Sequence, residues 1–514
     1  MNYKFLLIVL LLITTEGYSQ KSYYNINDYI SETGKSKLIT GQLQELIDKC
    51  SLNGGGYIQF PAGDYLTGTI VLKDNTYLDL SPGATLYGSK DINDYTHGSL
   101  IYSNGASNFG IIGKGTINGQ GDFFWRGKKR PYNRPGCMIQ LENSTDIKIK
   151  DINILNSPSW NIAVQFCNRV WINGISMISD HDSPNSDGID PISCKNVFIS
   201  NCYIDVGDDA ICLKTMGDVT TENIVVDNCI LISDDSAIKF GTGSDTHIRN
   251  AVFSNIIIRN TAYGIGLYAK DGGTYENIRF SNIHIETILN DNNEDVKTRD
   301  TYPIYIDLEK RSSDSKLGYV KNIFFDNITI DTYDGHCLFL GQPNHKFENI
   351  NLSNINYTLH HRRSFEGKTK PRGTRKLKIK AANDFADAPA HFTFAHIDGL
   401  VIKDLRIIDL FNSDKNERHM IWGYDVHNAQ IKDFSNKLIV PNKKLSQLYF
   451  NEVSDIEIKD SSPTYSSSPF LYLEGADTRN VILQNNNFYK TNRVAEFDES
   501  FKKSELIEFN NLKK

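Results

Sequence analysis

Val197-Phe-Ile-Ser-Asn201 returns 27 residues later as Ile224-Val-Val-Asp-Asn228, then as Ala251-Val-Phe-Ser-Asn255 and as Ile278-Arg-Phe-Ser-Asn282. Two further copies, Ile323-Phe-Phe-Asp-Asn327 and Ile350-Asn-Leu-Ser-Asn354, are again 27 apart. Each copy is followed by another short β-rich run. A helical solenoid needs long segments with helical periodicity, and these are absent here. Short strands broken by Asn, Asp and Gly at a fixed period read instead as coils of an all-β, single-stranded parallel β-helix. Stacked coils lie about 4.8 Å apart, so an Asn that recurs once per coil forms a column whose amides bond to one another and to turn backbone. Asn acting simply as a turn residue gives the same architecture.

Outside this stretch the chain fits the same plan. The repeat runs through most of the 514 residues, which argues for one elongated domain over residues 21–514. Leu43, Leu46, Ile47 and Cys50 form a helical stripe, and a helix there would cap the open end of the solenoid, whose first coil otherwise exposes core and an unpaired edge. Weaker repeats at Leu400-Val-Ile-Lys-Asp-Leu, Val453-Ser-Asp-Ile-Glu-Ile and Asn480-Val-Ile-Leu-Gln-Asn read as further coils over about 431–490. Met1 to Lys4, the apolar run Phe5 to Ile13 and the polar residues to Gln20 read as a signal peptide over residues 1–20. That run is too short to span a bilayer. The expectation is an exported protein, periplasmic or secreted, with no membrane insertion.

Eight cysteines in an exported chain raise disulfides, yet Cys202 and Cys229 are 27 apart and follow the repeating Asn, as small apolar groups stacked inside a coil would. Both readings stand at this point. No Cys/His cluster supports a metal, and no cofactor is expected. Net charge is −7, but nine basic residues between Arg362 and Lys380 face one acid, Glu366. That segment reads as a solvated loop or as a clamp for an anionic polymer, and nothing else on the chain follows a nucleic-acid module.

The chemistry concentrates in Asn185-Ser-Asp187-Gly-Ile-Asp-Pro and Gly207-Asp208-Asp209-Ala-Ile-Cys-Leu-Lys214. Asp208 follows Asp187 by 21 residues, about one coil, so the acids meet on one face. In a regular strand Asp208 and Asp209 would point to opposite sides, and burying one unpaired would cost several kcal/mol. Gly207 therefore suggests a bend that brings both to the cleft. Clustered carboxylates raise at least one pKa and place a proton donor beside ionised partners, which is what glycoside hydrolysis requires. Asp190 reads as a turn-capping residue.

These motifs, with Gly54-Gly-Gly-Tyr-Ile-Gln-Phe-Pro-Ala-Gly, Leu78-Asp-Leu-Ser-Pro-Gly-Ala-Thr-Leu and Gly115-Thr-Ile-Asn-Gly-Gln-Gly plus Trp125, resemble the polygalacturonase family, glycoside hydrolase family 28, over roughly residues 35 to 430. The resemblance implies a right-handed β-helix and inverting hydrolysis of a pectin-type polysaccharide, galacturonan or rhamnogalacturonan. It also implies Asp208 as the acid, Asp187 and Asp209 around the water, and Asn185 as an orienting or substrate-binding residue. Two departures stand out. Ser236 occupies the histidine position of the family's Gly-His-Gly, and Gly266 and Tyr268 occupy the basic positions of its Arg-Ile-Lys, which pair with the uronate carboxylate. The surrounding phrases look like a bacterial branch in which exo-acting enzymes are expected. Lys239 and Lys270 could restore the charge or be surface lysines. Asp235, one repeat after Asp208, and its neighbour Asp234 could bind a sugar hydroxyl or a cation or be turn residues. His181 is a rim candidate for substrate binding, and Trp125 and Trp160 are core residues or sugar-stacking rings. The long insertions Asn290 to Pro303 and Leu359 to Asp384 could wall off one end of the cleft. A polysaccharide lyase and a non-catalytic carbohydrate-binding β-helix remain as other classes, and a monomer is expected.

Overall fold

The computed structural model describes residues 22–127, 133–287, 301–333, 335–360, 385, 388–410, 417–464 and 466–513. The signal-peptide segment, the basic segment and most of both insertions lie outside the described residues. The strands pair in parallel from one coil to the next in a continuous ladder. The quoted repeat is such a ladder in register: Val197 pairs with Ile224, Ile224 with Ala251, Ala251 with Ile278, Ile278 with Ile323 and Ile323 with Ile350. Alternation explains why these residues form it. In Lys195–Ser200, Val197 and Ile199 are buried and Phe198 is half out, so like stacks on like inside the tube. Each fully buried Ile or Val adds about 1.5–3 kcal/mol, and one core runs from Tyr24 to Phe501.

Asn serves both roles expected of it. Asn201, Asn228, Asn255, Asn282, Asn327 and Asn354 have φ between 54° and 56°, the left-handed region that Asn tolerates best after Gly. Their amides also form the column: Asn228 donates to Asn201 (2.6 Å), Asn282 to Asn255 (3.1 Å) and Asn327 to Asn282 (2.9 Å). Asn255 and Asn354 donate instead to Asp227 and Asp326. A second column, Asn168, Asn196, Asn223, Asn250, Asn277, Asn322 and Asn349, runs at another corner. Sequence reading passed over it, although most of its members are also 27 apart.

The helix Thr40–Leu52 buries Leu43, Leu46, Ile47 and Cys50 as anticipated. It lies after the first strands rather than before them, because Tyr23–Asn25 pairs with Gly56–Phe60 and Gly34–Leu38 with Gly63–Thr67. The C-terminal coils extend past residue 490, since Arg479–Gln484 pairs with Leu506–Phe509. All eight cysteines are free and buried, which settles the disulfide alternative. The Cys202 thiol donates to the Ser200 carbonyl (3.1 Å). No helix of the described residues is long and apolar enough to cross a membrane.

Asn228→Ala should lose a ladder bond and force Ala into the left-handed region. Together these cost about 1.5–3.5 kcal/mol, read as a lower urea midpoint with unchanged slope.

Candidate active site

Three successive strands of one sheet set the site: Ile189–Ile192, Ile211–Leu213 and Ile230–Phe240. Ile189 pairs with Ile211 and Ile211 with Ile238. Gly188 N–H donates to the Asp209 carbonyl (2.8 Å) and Ala210 N–H to that of Ser236 (3.0 Å). Asp187, Asp209 and Ser236 therefore stand in one column across three coils, with Asp208 and Asp235 beside it. Two glycines permit the close stacking. A Cβ at position 188 would lie 2.3 Å from the Ala210 carbonyl oxygen, and one at position 207 would lie 2.4 Å from that of His181. Gly207 thus makes room for a neighbouring coil, and the chain bends at Gly207 and Asp208 as anticipated.

Asp209 is 2% exposed, and it escapes the cost of an unpaired buried charge through Lys239, whose ammonium donates to it at 2.6 Å. Asp187, 4% exposed, accepts from Lys214 at 3.1 Å. The same ammonium contacts Asp190 and lies 4.2 Å from the centroid of the Trp160 ring, a cation–π arrangement. Asp190 is therefore no turn cap. It is a fully buried strand residue, because the strand continues through it and Lys214 donates a hydrogen bond to its carboxyl group. Lys214 escaped sequence reading because the step between these coils is 22 residues, and its 27-residue offset from Asp187 marks no stacked pair.

Asp208 has no such partner among the described residues. Burial first, then the carboxylates of Asp209, Asp187 and Asp235, push it up to about 8. Asp209 is raised to about 6, mainly by burial and against the pull of Lys239. Asp190 rises to about 8 by burial, opposed by Lys214. The cluster thus offers a protonated carboxyl beside carboxylates that carry ammonium partners. Carboxylate oxygens of Asp208, Asp209 and Asp235 lie within 4.8 Å of one another, as do those of Asp187 and Asp190 with the Cys212 thiol. In both groups a lysine already stands where a cation would be drawn.

The remaining candidates sort by position. Asn185 is exposed at φ 54° and accepts from Arg134 (3.1 Å). His181 bridges two other coils, with Nε2 2.7 Å from Asp205 and Nδ1 2.8 Å from Asp234. Those two carboxylates outweigh burial and raise it to about 10, so it is an imidazolium at neutral pH. Ser236 is buried and its hydroxyl donates to Asp235 (3.4 Å). Lys239, read as a replacement positive charge or a surface lysine, is instead largely buried and donates to Asp209. Lys270 is 4% exposed and bonded to Glu309 and Asp307, one coil further on, because a buried ammonium must be paired. Trp125 is buried, whereas Trp160 is half-exposed in the cleft.

Residues 50–373 match the family described as glycosyl hydrolases family 28. The chain belongs to that family. The match is narrower than the range 35 to 430 and leaves out the coils from 390 onward. A probable polygalacturonase of Vitis vinifera is 35% identical over 209 residues, 36% of this chain and 42% of that protein. The chain thus spans less than half the length of the curated relatives it matches. Among solved structures, a family 28 exopolygalacturonase of Yersinia enterocolitica superposes with TM-score 0.59 at 16% identity, covering 83% of this chain and 79% of that one. A hyperthermoactive exopolygalacturonase of Thermotoga maritima gives 0.57 at 21%, covering 66% and 88%. At these identities the structures establish the fold, a right-handed parallel β-helix.

The raised pKa of His181 means that its contribution to stability is full below about 6.5, its unfolded value, and fades as pH climbs toward about 10. Thermal melts of His181→Gln should therefore differ from wild type most at pH 6 and least at pH 10. A constant difference would show that the charge on the ring is irrelevant.

Proposed function

We propose that the protein is an exported glycoside hydrolase that cleaves pectin-type acidic polysaccharide or oligosaccharide by inversion, working from chain ends. The observation that carries this reading is the unequal environment of three adjacent carboxylates: among the described residues, Asp187 and Asp209 each hold an ammonium, and Asp208 holds none. Asp208 protonates the departing glycosidic oxygen. Asp187 and Asp209 hold the water that attacks from the opposite face; oxygens of Asp208 and Asp209 lie within 4.8 Å of each other, closer than the roughly 6.5–9.5 Å usual between acid and base in inversion, so the anomeric outcome is the decisive observation.

Exo action is supported by the outward-facing residues on the coils C-terminal to the acids. Tyr268, Tyr305, Leu338 and Leu340 are 5%, 2%, 0% and 1% exposed, so the open groove does not continue past them. Toward the N-terminus, outward-facing Trp160, Gln165, Gln140, Glu142 and Tyr102 are only half-buried, leaving room for sugar on that side. Asn185, His181, Asp235, Ser236 and Lys239 line or brace the site in this reading, and Lys270 is held one coil further on by Asp307 and Glu309. Export rests on the N-terminal apolar run, and assignment to the bacterial branch and to a monomer belongs to the same proposal. A lyase is less favoured, because it needs a neutral base. Lys214, Lys239 and Lys270 are all raised by the acids around them and stay protonated.

The test is product analysis by proton NMR on polygalacturonan and rhamnogalacturonan oligosaccharides. Sugar released from one end with inverted configuration is expected. Asp208→Asn should lower turnover by ~10²–10⁴-fold, and the wild-type rate should fall as pH passes about 8, where Asp208 loses its proton. A retained anomer, or an unsaturated product absorbing in the ultraviolet, would sink this mechanism.

A further inference from the structure

Lys239 is largely buried, and the carboxylates that act on it are acids of the site, Asp209 first and Asp235 after it. Its Nζ lies 2.6 Å from Asp209 Oδ2 and 5.6 Å from the centroid of the Tyr268 ring. Across the sheet it pairs with Cys212 on one side and Gly266 on the other. Gly266 contributes no side chain that could displace the ammonium, and a Cβ there would press on the Tyr268 ring at 2.7 Å. The lysine is thus housed against Asp209. The other Asp209 oxygen is buried and accepts no hydrogen bond from the described residues, so among them this ammonium is the one side chain that donates to the carboxylate. The charged groups that face the pair are Asp187 from the preceding coil, Asp208 and Lys214 on the coil of Asp209, and Asp235 on the following coil. Asp187 answers to Lys214, whereas Asp208 and Asp235 repel the Asp209 carboxylate and are drawn to the Lys239 ammonium.

We propose that Lys239 is a positioning residue of the reaction. Its ammonium fixes the Asp209 carboxyl in place and keeps it charged, so that the proton of the cluster resides on Asp208, where the leaving oxygen can take it. In each turnover one proton passes from Asp208 to the departing oxygen, and the attacking water gives one up to the carboxylate that activates it. Without the lysine, Asp209 competes for the proton and the division of labour between acid and base fails. This inference rests on the hydrolase reading above, and it differs from a contact between Lys239 and a substrate carboxylate, which would act on KM.

The test uses the full chain with Lys239→Gln and Lys239→Arg. For Lys239→Gln, the acidic limb of kcat/KM against pH should move upward by roughly 1–3 pH units, with KM little changed at the new optimum, while Lys239→Arg keeps the limb near its wild-type place. Independently of any substrate, infrared difference spectra at pH 7 should show a protonated-carboxyl stretch in Lys239→Gln. That band should add to the Asp208 carboxyl already protonated in wild type, and it should be lost in the Lys239→Gln/Asp209→Asn double variant. A uniform fall of kcat at every pH without the new band would overturn the proposal, as would a change confined to KM. If Lys239→Gln does not fold, the wild-type titration decides: a carboxyl that vanishes in Asp209→Asn and is still protonated at pH 8 refutes the role, and one ionised by pH 7 supports it. Absence of turnover by the wild type would fail the hydrolase reading, and the infrared arm would still judge the lysine.

Discussion

Parallel pairing of each coil with the next is the constraint on which everything else in this molecule depends. It holds residues at equivalent positions about 4.8 Å apart, whatever their chemistry. Inside the tube that spacing favours the structure, because isoleucine lands on isoleucine. At the corners it turns asparagine into a hydrogen-bonded column. On the outer face it is a liability wherever acids occupy successive coils, and Asp187, Asp208, Asp209 and Asp235 stand at such positions. Electrostatic repulsion there is imposed by the backbone and is not relieved by moving apart.

Lysines relieve it selectively. Lys214 reaches Asp187 and Asp190, and Lys239 reaches Asp209. The net attraction of such pairs is modest after desolvation, so their significance lies less in stability than in which carboxyl keeps its charge. A site built from identical carboxyl groups becomes asymmetric through its cations, and asymmetry is what an acid and a base in one cleft require.

Much of this was legible in the residues. The 27-residue spacing carries the architecture because a parallel solenoid repeats its corners, and the helix near residue 45 shows its stripe. The two acidic motifs identify the site because so many carboxylates in one place need a reason. What escaped has a common cause. The turn before Asp187 is longer than the equivalent turn before Asp209, so Ile189 pairs with Ile211 across 22 residues and Ile211 with Ile238 across 27. A reading that counts period alone cannot say which lysine meets which acid. Asp190 looked like a turn residue because it lies outside the motif positions, yet a strand runs through it and Pro191. Lys270 looked equivalent to Lys239, and only the three-dimensional neighbours, Asp307 and Glu309, separate them.

The eight buried thiols have a consequence of another kind. With none of them cross-linked, cohesion of the described coils comes from stacking, backbone pairing and side-chain bonds between coils, and holding the fold together does not call for an oxidising compartment. Maturation therefore needs no disulfide-forming machinery, and the folded tube is indifferent to thiol reagents as long as it stays closed.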